Sequence, residues 1–369
     1  MLGRRQNEAD GRFLGHLVTG FHARGGGDGR GLRSGVRRGD HSRTSAVAAE
    51  SSQLTVTRLL SRPRRAATDL LGVDAGGRLT VVVGDTRGHS LGPEFFSAHS
   101  WSPDGRFVVF GAAPRHVSGA GTRLHSDLYV ADAQGRQIRR LTSVGNAIDP
   151  VWSSAGGVIV FARAGSLRLY RHPPRIVVPK TLWAIGPDGS GLRRLEPEST
   201  LTTDTPSAFS PDGTTLLFTR ARPAVFGATA ETIPTSVYTL AMTSGAQRPL
   251  ISDASQAVFS HDGTRLAFVS ARDRNGTLNY GDTVHFATEL YVSNADASAP
   301  TRLTFSRDID EFKPIFSPDD QTILHEHGRV TGNAEAYSIW SNPAHGGLSQ
   351  PVLFDPTDNT WYANPPTAT

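Results

Sequence analysis

From residue 68 onward, short apolar runs alternate with tight polar turns, the pattern of many short strands rather than long helices. Runs such as Phe107-Val108-Val109-Phe110, Val158-Ile159-Val160-Phe161, Leu216-Leu217-Phe218 and Leu266-Ala267-Phe268-Val269 are apolar on both faces. That predicts strands enclosed between neighbouring sheets. Each run follows an aromatic-led pentapeptide: Trp101-Ser102-Pro103-Asp104-Gly105, the worn copy Trp152-Ser153-Ser154-Ala155-Gly156, Phe209-Ser210-Pro211-Asp212-Gly213 and Phe259-Ser260-His261-Asp262-Gly263. A fifth copy is Phe316-Ser317-Pro318-Asp319-Asp320. The aromatics are 51, 57, 50 and 57 residues apart. Proline presets φ, aspartate supplies an Asx-type bond, and glycine takes a left-handed position, so each copy reads as strand, turn, strand.

A second hairpin follows in every repeat. Its first strand is Leu128-Tyr129-Val130, Leu182-Trp183-Ala184-Ile185, Val237-Tyr238-Thr239-Leu240, Leu290-Tyr291-Val292 or Ile339-Trp340. Partners such as Ile138-Arg139-Arg140-Leu141 and Thr301-Arg302-Leu303-Thr304 follow. Four strands in about 50 residues is the signature of a propeller blade. An extra hairpin, Leu70–Val73 with Leu79–Val82, precedes the first pentapeptide, and Asn359–Pro365 resembles a degenerate first strand. The expected fold is all-β: a six-bladed β-propeller of four-stranded antiparallel blades, its sixth blade closed from both chain ends.

The pentapeptides, the Leu-Tyr-Val or Leu-Trp-Ala strands and the Arg-Arg-Leu-Thr strand resemble TolB-type, WD40-like propeller repeats over about residues 68–369. The resemblance implies the fold. It is far less specific for function, because such propellers serve both as envelope-protein partners and beside prolyl-peptidase catalytic domains.

Charge divides the 369 residues unevenly. The overall balance is +4, yet residues 1–67 carry 13 Arg against 5 Asp and Glu, leaving the remainder at −4. Residues 1–50, rich in Gly and Arg, are expected to be a disordered basic arm, with 51–67 a linker or first strand and 68–369 the propeller. The arm offers nucleic acid a weak electrostatic route, and nucleic acid is not the expected partner. Absence of Cys excludes disulfides and thiolate chemistry. No apolar run of membrane-spanning length occurs, and Arg4-Arg5 is followed by no apolar signal core; the compartment stays open, cytoplasmic as the sequence is written and extracytoplasmic if its true start differs.

Propeller topology places the pentapeptide turns on one face and the longer, varied connections on the other, where functional diversity is expected. Segments entering the first strand of each repeat carry His99, Asp149, Asp204, Asp253, and the trio Asp308, Asp310 and Glu311, with Asp358 in the closing blade. Converging on a channel mouth, these groups would favour cationic ligands or basic groups of a partner. Around them Tyr170, Arg171, Arg274 and Tyr280 furnish a rim suited to a protein or peptide interface. The expected function is a non-enzymatic, monomeric platform that binds a protein or peptide at this face and carries no cofactor. The alternative is a hydrolase, a lyase or an accessory peptidase subunit acting on peptides or glycans in the same channel.

Two motifs bear on that alternative. Gly88-His89-Ser90-Leu91-Gly92 matches a hydrolase nucleophile elbow, but Pro93 and the β repeats that follow supply neither helix nor α/β sheet, so Ser90 is not expected to be catalytic. His325 and His327, two apart on a strand, face one side and form a weak metal-ligand candidate with no third ligand legible in the sequence.

Overall fold

The computed structural model describes the backbone of strands 19–22, 53–62, 65–73 and 79–83, then residues 99–353 apart from 113–125, 134, 136, 167, 172–173, 198–201, 223–234, 281–282 and 332–333. Side chains are described from residue 99, excluding also those of 168–177, 279–285, 329–337 and 353.

Five antiparallel meanders follow one another. Blade 1 comprises His99–Trp101, Phe107–Ala112, Asp127–Asp132 and Ile138–Arg140. Blade 2 comprises Ala147–Trp152, Ile159–Ala164, Lys180–Ile185 and Arg193–Arg194. Blade 3 comprises Thr203–Phe209, Thr215–Ala221, Thr235–Ala241 and Gln247–Ser252, and joins blade 2 through a single parallel pairing of Lys180 with Thr203. Blade 4 comprises Ser255–Phe259, Arg265–Ser270, Glu289–Asn294 and Thr301–Arg302. Blade 5 comprises Ile309–Phe316, Thr322–Thr331, Ala334–Pro343 and Gln350–Leu353.

The closing blade differs from expectation. It is a four-stranded sheet made of Thr19–His22, Gln53–Arg62, Arg65–Val73 and Leu79–Val83, all from one end of the chain. Thr19–His22, within the stretch expected to be a disordered arm, pairs with Gln53–Val56, and it lies beside the first strands of blades 1 and 5. The first strands of the six sheets thus neighbour one another in a complete circuit. Four residues with one aromatic, Phe21, give too short a pattern to read amid glycine and arginine. Asn359–Pro365, the other proposed contributor, lies outside the described residues.

The core lies between blades. Phe110, Phe161, Phe218 and Phe268 are fully buried at equivalent positions of the second strands. Three of them lie 5.5–6.0 Å, centroid to centroid, from the third-strand tyrosines Tyr129, Tyr238 and Tyr291. Apolar clusters combine residues of blades 1 and 2, 2 and 3, 3 and 4, and 4 and 5, which is why these strands had to be apolar on both faces.

Local chemistry explains the repeated motifs. In the four turns led by Ser102, Ser210, Ser260 and Ser317, the serine hydroxyl donates to the aspartate two residues on, at 2.5–2.6 Å. The same hydroxyl accepts the amide of the residue five on, at 2.9–3.0 Å, which starts the next strand. The threonine of each Arg-Leu-Thr end accepts the amide that opens the third strand: Leu128 N–H to Thr142, and Leu290 N–H to Thr304. Its arginine pairs with the buried acid beside that amide, Arg140 with Asp127 and Arg302 with Glu289.

The two departures from the turn consensus form one contact. Asp320 stands where other turns have glycine, at φ 56°, a left-handed conformation that aspartate tolerates better than most residues. Its carboxylate accepts the amides of His261 and Asp262 in the neighbouring turn, at 2.8 and 3.0 Å, and meets His261 Nδ1 at 2.9 Å. His261 occupies a proline position, and proline has no amide hydrogen to give. Asp320→Gly and His261→Pro are each expected to cost about 1–2 kcal/mol in urea unfolding. The double variant should cost less than their sum; strict additivity would refute the pairing.

Candidate functional site at the channel mouth

First strands of blades 2 to 5 each carry a register shift near the channel. In three of them the residue three before the aromatic has a positive φ: Asp149 at 52°, Gln256 at 56° and Lys313 at 46°. These bulges stitch adjacent blades, since Gln256 Oε1 accepts the Lys313 amide at 2.6 Å, and the Gln256 amide donates to Thr219 Oγ1 at 2.9 Å.

The acids expected around the mouth divide by environment. Asp204 is buried and bound by Arg220 through Nε at 2.9 Å and Nη2 at 2.6 Å. Arg220 also reaches Glu196 at 3.2 Å, and its guanidinium lies 4.8 Å from the Tyr238 ring centre. Burial, and then the charge of Asp204, push the Glu196 carboxyl up to about 7. Asp310 is buried and accepts both the amide and hydroxyl of Thr288, at 2.8 and 3.0 Å. Glu311 is buried against His325 and His327. Asp149 is partly buried, 3.2 Å from Lys180. Asp253 and Asp308 are exposed. Asp204, Asp310 and Glu311 are thus engaged internally, and only part of the expected set faces solvent.

Two residues missed in the sequence shape the centre. Lys313 lies 3.6 Å from the buried carboxylate of Glu326, whose pKa burial raises to about 7. Burial, helped by the Lys313 charge, lowers buried His99 to about 3 and keeps it neutral. Burial likewise lowers His327 to about 4. Lys313 was legible only as one lysine among arginines, and Glu326 as the middle of a His-Glu-His run.

On this face the blades grow outward. Blade 2 inserts the hairpin Arg168–Arg171 with Pro174–Val177, and blade 4 inserts Thr277–Tyr280 with Thr283–Phe286. In blade 5 the second and third strands run on as ten-residue partners to the Thr331–Ala334 pair, and in the closing blade through nine paired positions to the Arg62–Arg65 pair. The blade 4 hairpin lies beside the long second strand of blade 5. Arg274, exposed and at φ 45°, has its guanidinium 5.3 Å from the Phe286 ring centre. Tyr170, Arg171 and Tyr280 belong to these hairpins, with side chains outside the described set; Ser90 and Asp358 are outside the described residues altogether.

Six four-stranded meanders in a closed circuit define a β-propeller. Its fold is TolB-like: the TolB structure from Agrobacterium tumefaciens aligns with a TM-score of 0.53 at 16% identity, over 74% of this chain and 83% of that one. The oligogalacturonate lyase of Vibrio parahaemolyticus aligns at 0.48 and 14% identity, over 78% and 74% of the two chains. The propeller domain of the Trilobed protease of Pyrococcus furiosus aligns at 0.47 and 11%, over 84% and 83%. No protein-family model and no curated protein matches the chain in sequence. At 16% identity the likeness to TolB speaks to fold alone, and the two alignments below 0.5 carry no argument. No helix among the described residues is long and apolar enough to cross a membrane.

Proposed function

We propose that the protein is a binding platform whose hairpin-bearing face takes a protein or peptide partner. The observation that carries this reading is the asymmetry of the two faces. One is sealed by short, repeated turns that hydrogen-bond to themselves and to their neighbours. On the other, four hairpins rise, among the described residues, from the second-to-third-strand connections. Strand pairs on a rigid ring present side chains at little conformational cost, which favours recognition of a folded or extended polypeptide. Asp253, Asp308 and Arg274 are among the exposed charged groups on this side, an arrangement of mixed sign that suits a polar interface rim.

Replacing residues 168–177 and 277–286 by two-residue turns tests the reading. Partner capture from the native cell, followed by cross-link mapping, should fall at least about tenfold for the trimmed chain, a loss of roughly 1.4 kcal/mol. Its thermal midpoint should stay near that of the intact chain. Undiminished capture, or cross-links confined to the turn face, would refute it.

A further inference from the structure

In blade 5, Glu311 stands opposite His327 in the strand ladder, and His325 lies two residues earlier on the same strand and face. All three side chains are buried, His325 and Glu311 completely. Glu311 Oε2 is 2.6 Å from His325 Nδ1, and Glu311 Oε1 is 3.1 Å from His327 Nε2. One donor atom from each residue lies within 4.8 Å of the other two.

Proton bookkeeping sets the cluster apart from an ordinary buried network. Asn342 Nδ2 donates to the Leu303 carbonyl at 3.4 Å, which turns Asn342 Oδ1 toward His325 Nε2 at 2.7 Å. In the neutral imidazole, Nε2 then carries the hydrogen and Nδ1 offers a lone pair. That lone pair faces a carboxylate oxygen at hydrogen-bond distance, an arrangement that needs a cation between them. Glu311 Oε1 is buried and, although 3.1 Å from His327 Nε2, makes no well-formed hydrogen bond, a condition that calls for a missing ion or water.

We propose that Glu311, His325 and His327 bind one divalent transition-metal ion, with Asn342 setting the tautomer of His325. Two imidazoles and one carboxylate are a donor set suited to zinc and its first-row neighbours, with one or more positions left for water. Bonds of about 2.0–2.2 Å place tetrahedral ligands roughly 3.3 Å apart, so the 2.6 Å His325–Glu311 pair opens slightly to admit the ion. Asn342 plays the part of the outer partner that metal-bound histidines generally have on their second nitrogen. A proton on His325 would fill the same gap, and the experiment separates the two.

The tag-free full chain, stripped with chelator and desalted, is titrated with Co(II) while visible absorption is followed, then with Zn(II) in competition. One Co(II) per chain should bind, produce bands of low-coordinate nitrogen and oxygen ligation, and be displaced by Zn(II). Glu311→Gln and His327→Ala should each weaken binding by about 100-fold or more, and Asn342→Leu by about 10–100-fold. Failure of the wild-type chain to bind either ion at micromolar concentration would assign the gap to a proton and overturn the proposal, whatever the variants' folding. Binding unchanged in Glu311→Gln and His327→Ala would overturn it equally, by moving the ion elsewhere.

Discussion

Arg220→Leu is expected to lower stability by about 3–5 kcal/mol in urea or thermal unfolding at neutral pH, because it strands buried carboxylates. Asp204 and Glu196 have side-chain exposures of 2% and 4%, and Arg220 is the guanidinium between them. Gln247 bridges the arginine and Glu196, with contacts of 2.9 and 3.0 Å, and the Leu182 amide donates to Glu196 at 2.7 Å. Burial, and then the negative charge of Asp204, raise the Glu196 carboxyl to about 7. Removing the Arg220 cation leaves Asp204 with little compensation in a buried seam between blades. The exposed Arg248, two strands away, is the control: Arg248→Ala should cost no more than about 0.5 kcal/mol. A loss below about 1 kcal/mol for Arg220→Leu would mean that the cluster is not what joins blades 2 and 3.

The second large effect concerns closure of the ring. A chain beginning at residue 51 lacks Thr19–His22, and with it the strand between the first strands of blades 5 and 1. Its thermal midpoint should fall by roughly 10 °C or more, several kcal/mol for a domain of this size. Removing a merely solvated basic arm would leave the midpoint unchanged. The pI of about 9.7 therefore says little about the arm's task, because part of that basic segment is structural.

Comparison of sequence and structure shows where local information suffices. The Ser-Pro-Asp-Gly turns were legible because every bond that defines them, from Ser102 to Asp104 and Phe107, spans five residues or fewer. The four-strand blade was legible because its period is long, regular and tied to those turns. Pairings that cross between blades were not. Arg220 reaches back 24 residues to Glu196 at the end of blade 2, and even its partner Asp204, in its own blade, sits 16 residues away across a turn. Asp320 and His261 read as wear in the consensus, whereas 59 residues apart they meet as donor and acceptor. Glu311 was seen among the acids and His325 and His327 among the histidines. Only the bulge-shifted pairing of their two strands brings the three together. Thr19–His22 was illegible for another reason, since four residues carry too little pattern to stand out.

Hydrogen exchange of the Thr19–His22 segment tests the closed six-blade ring most directly, because protection there requires the strand to be paired. In native buffer, a peptide spanning residues 17–24 should retain deuterium-exchange protection comparable to that of Gln53–Arg62, its partner strand. Complete exchange at the earliest time point, at the rate of an unfolded chain, would contradict the account: the circuit would then be open between blades 5 and 1.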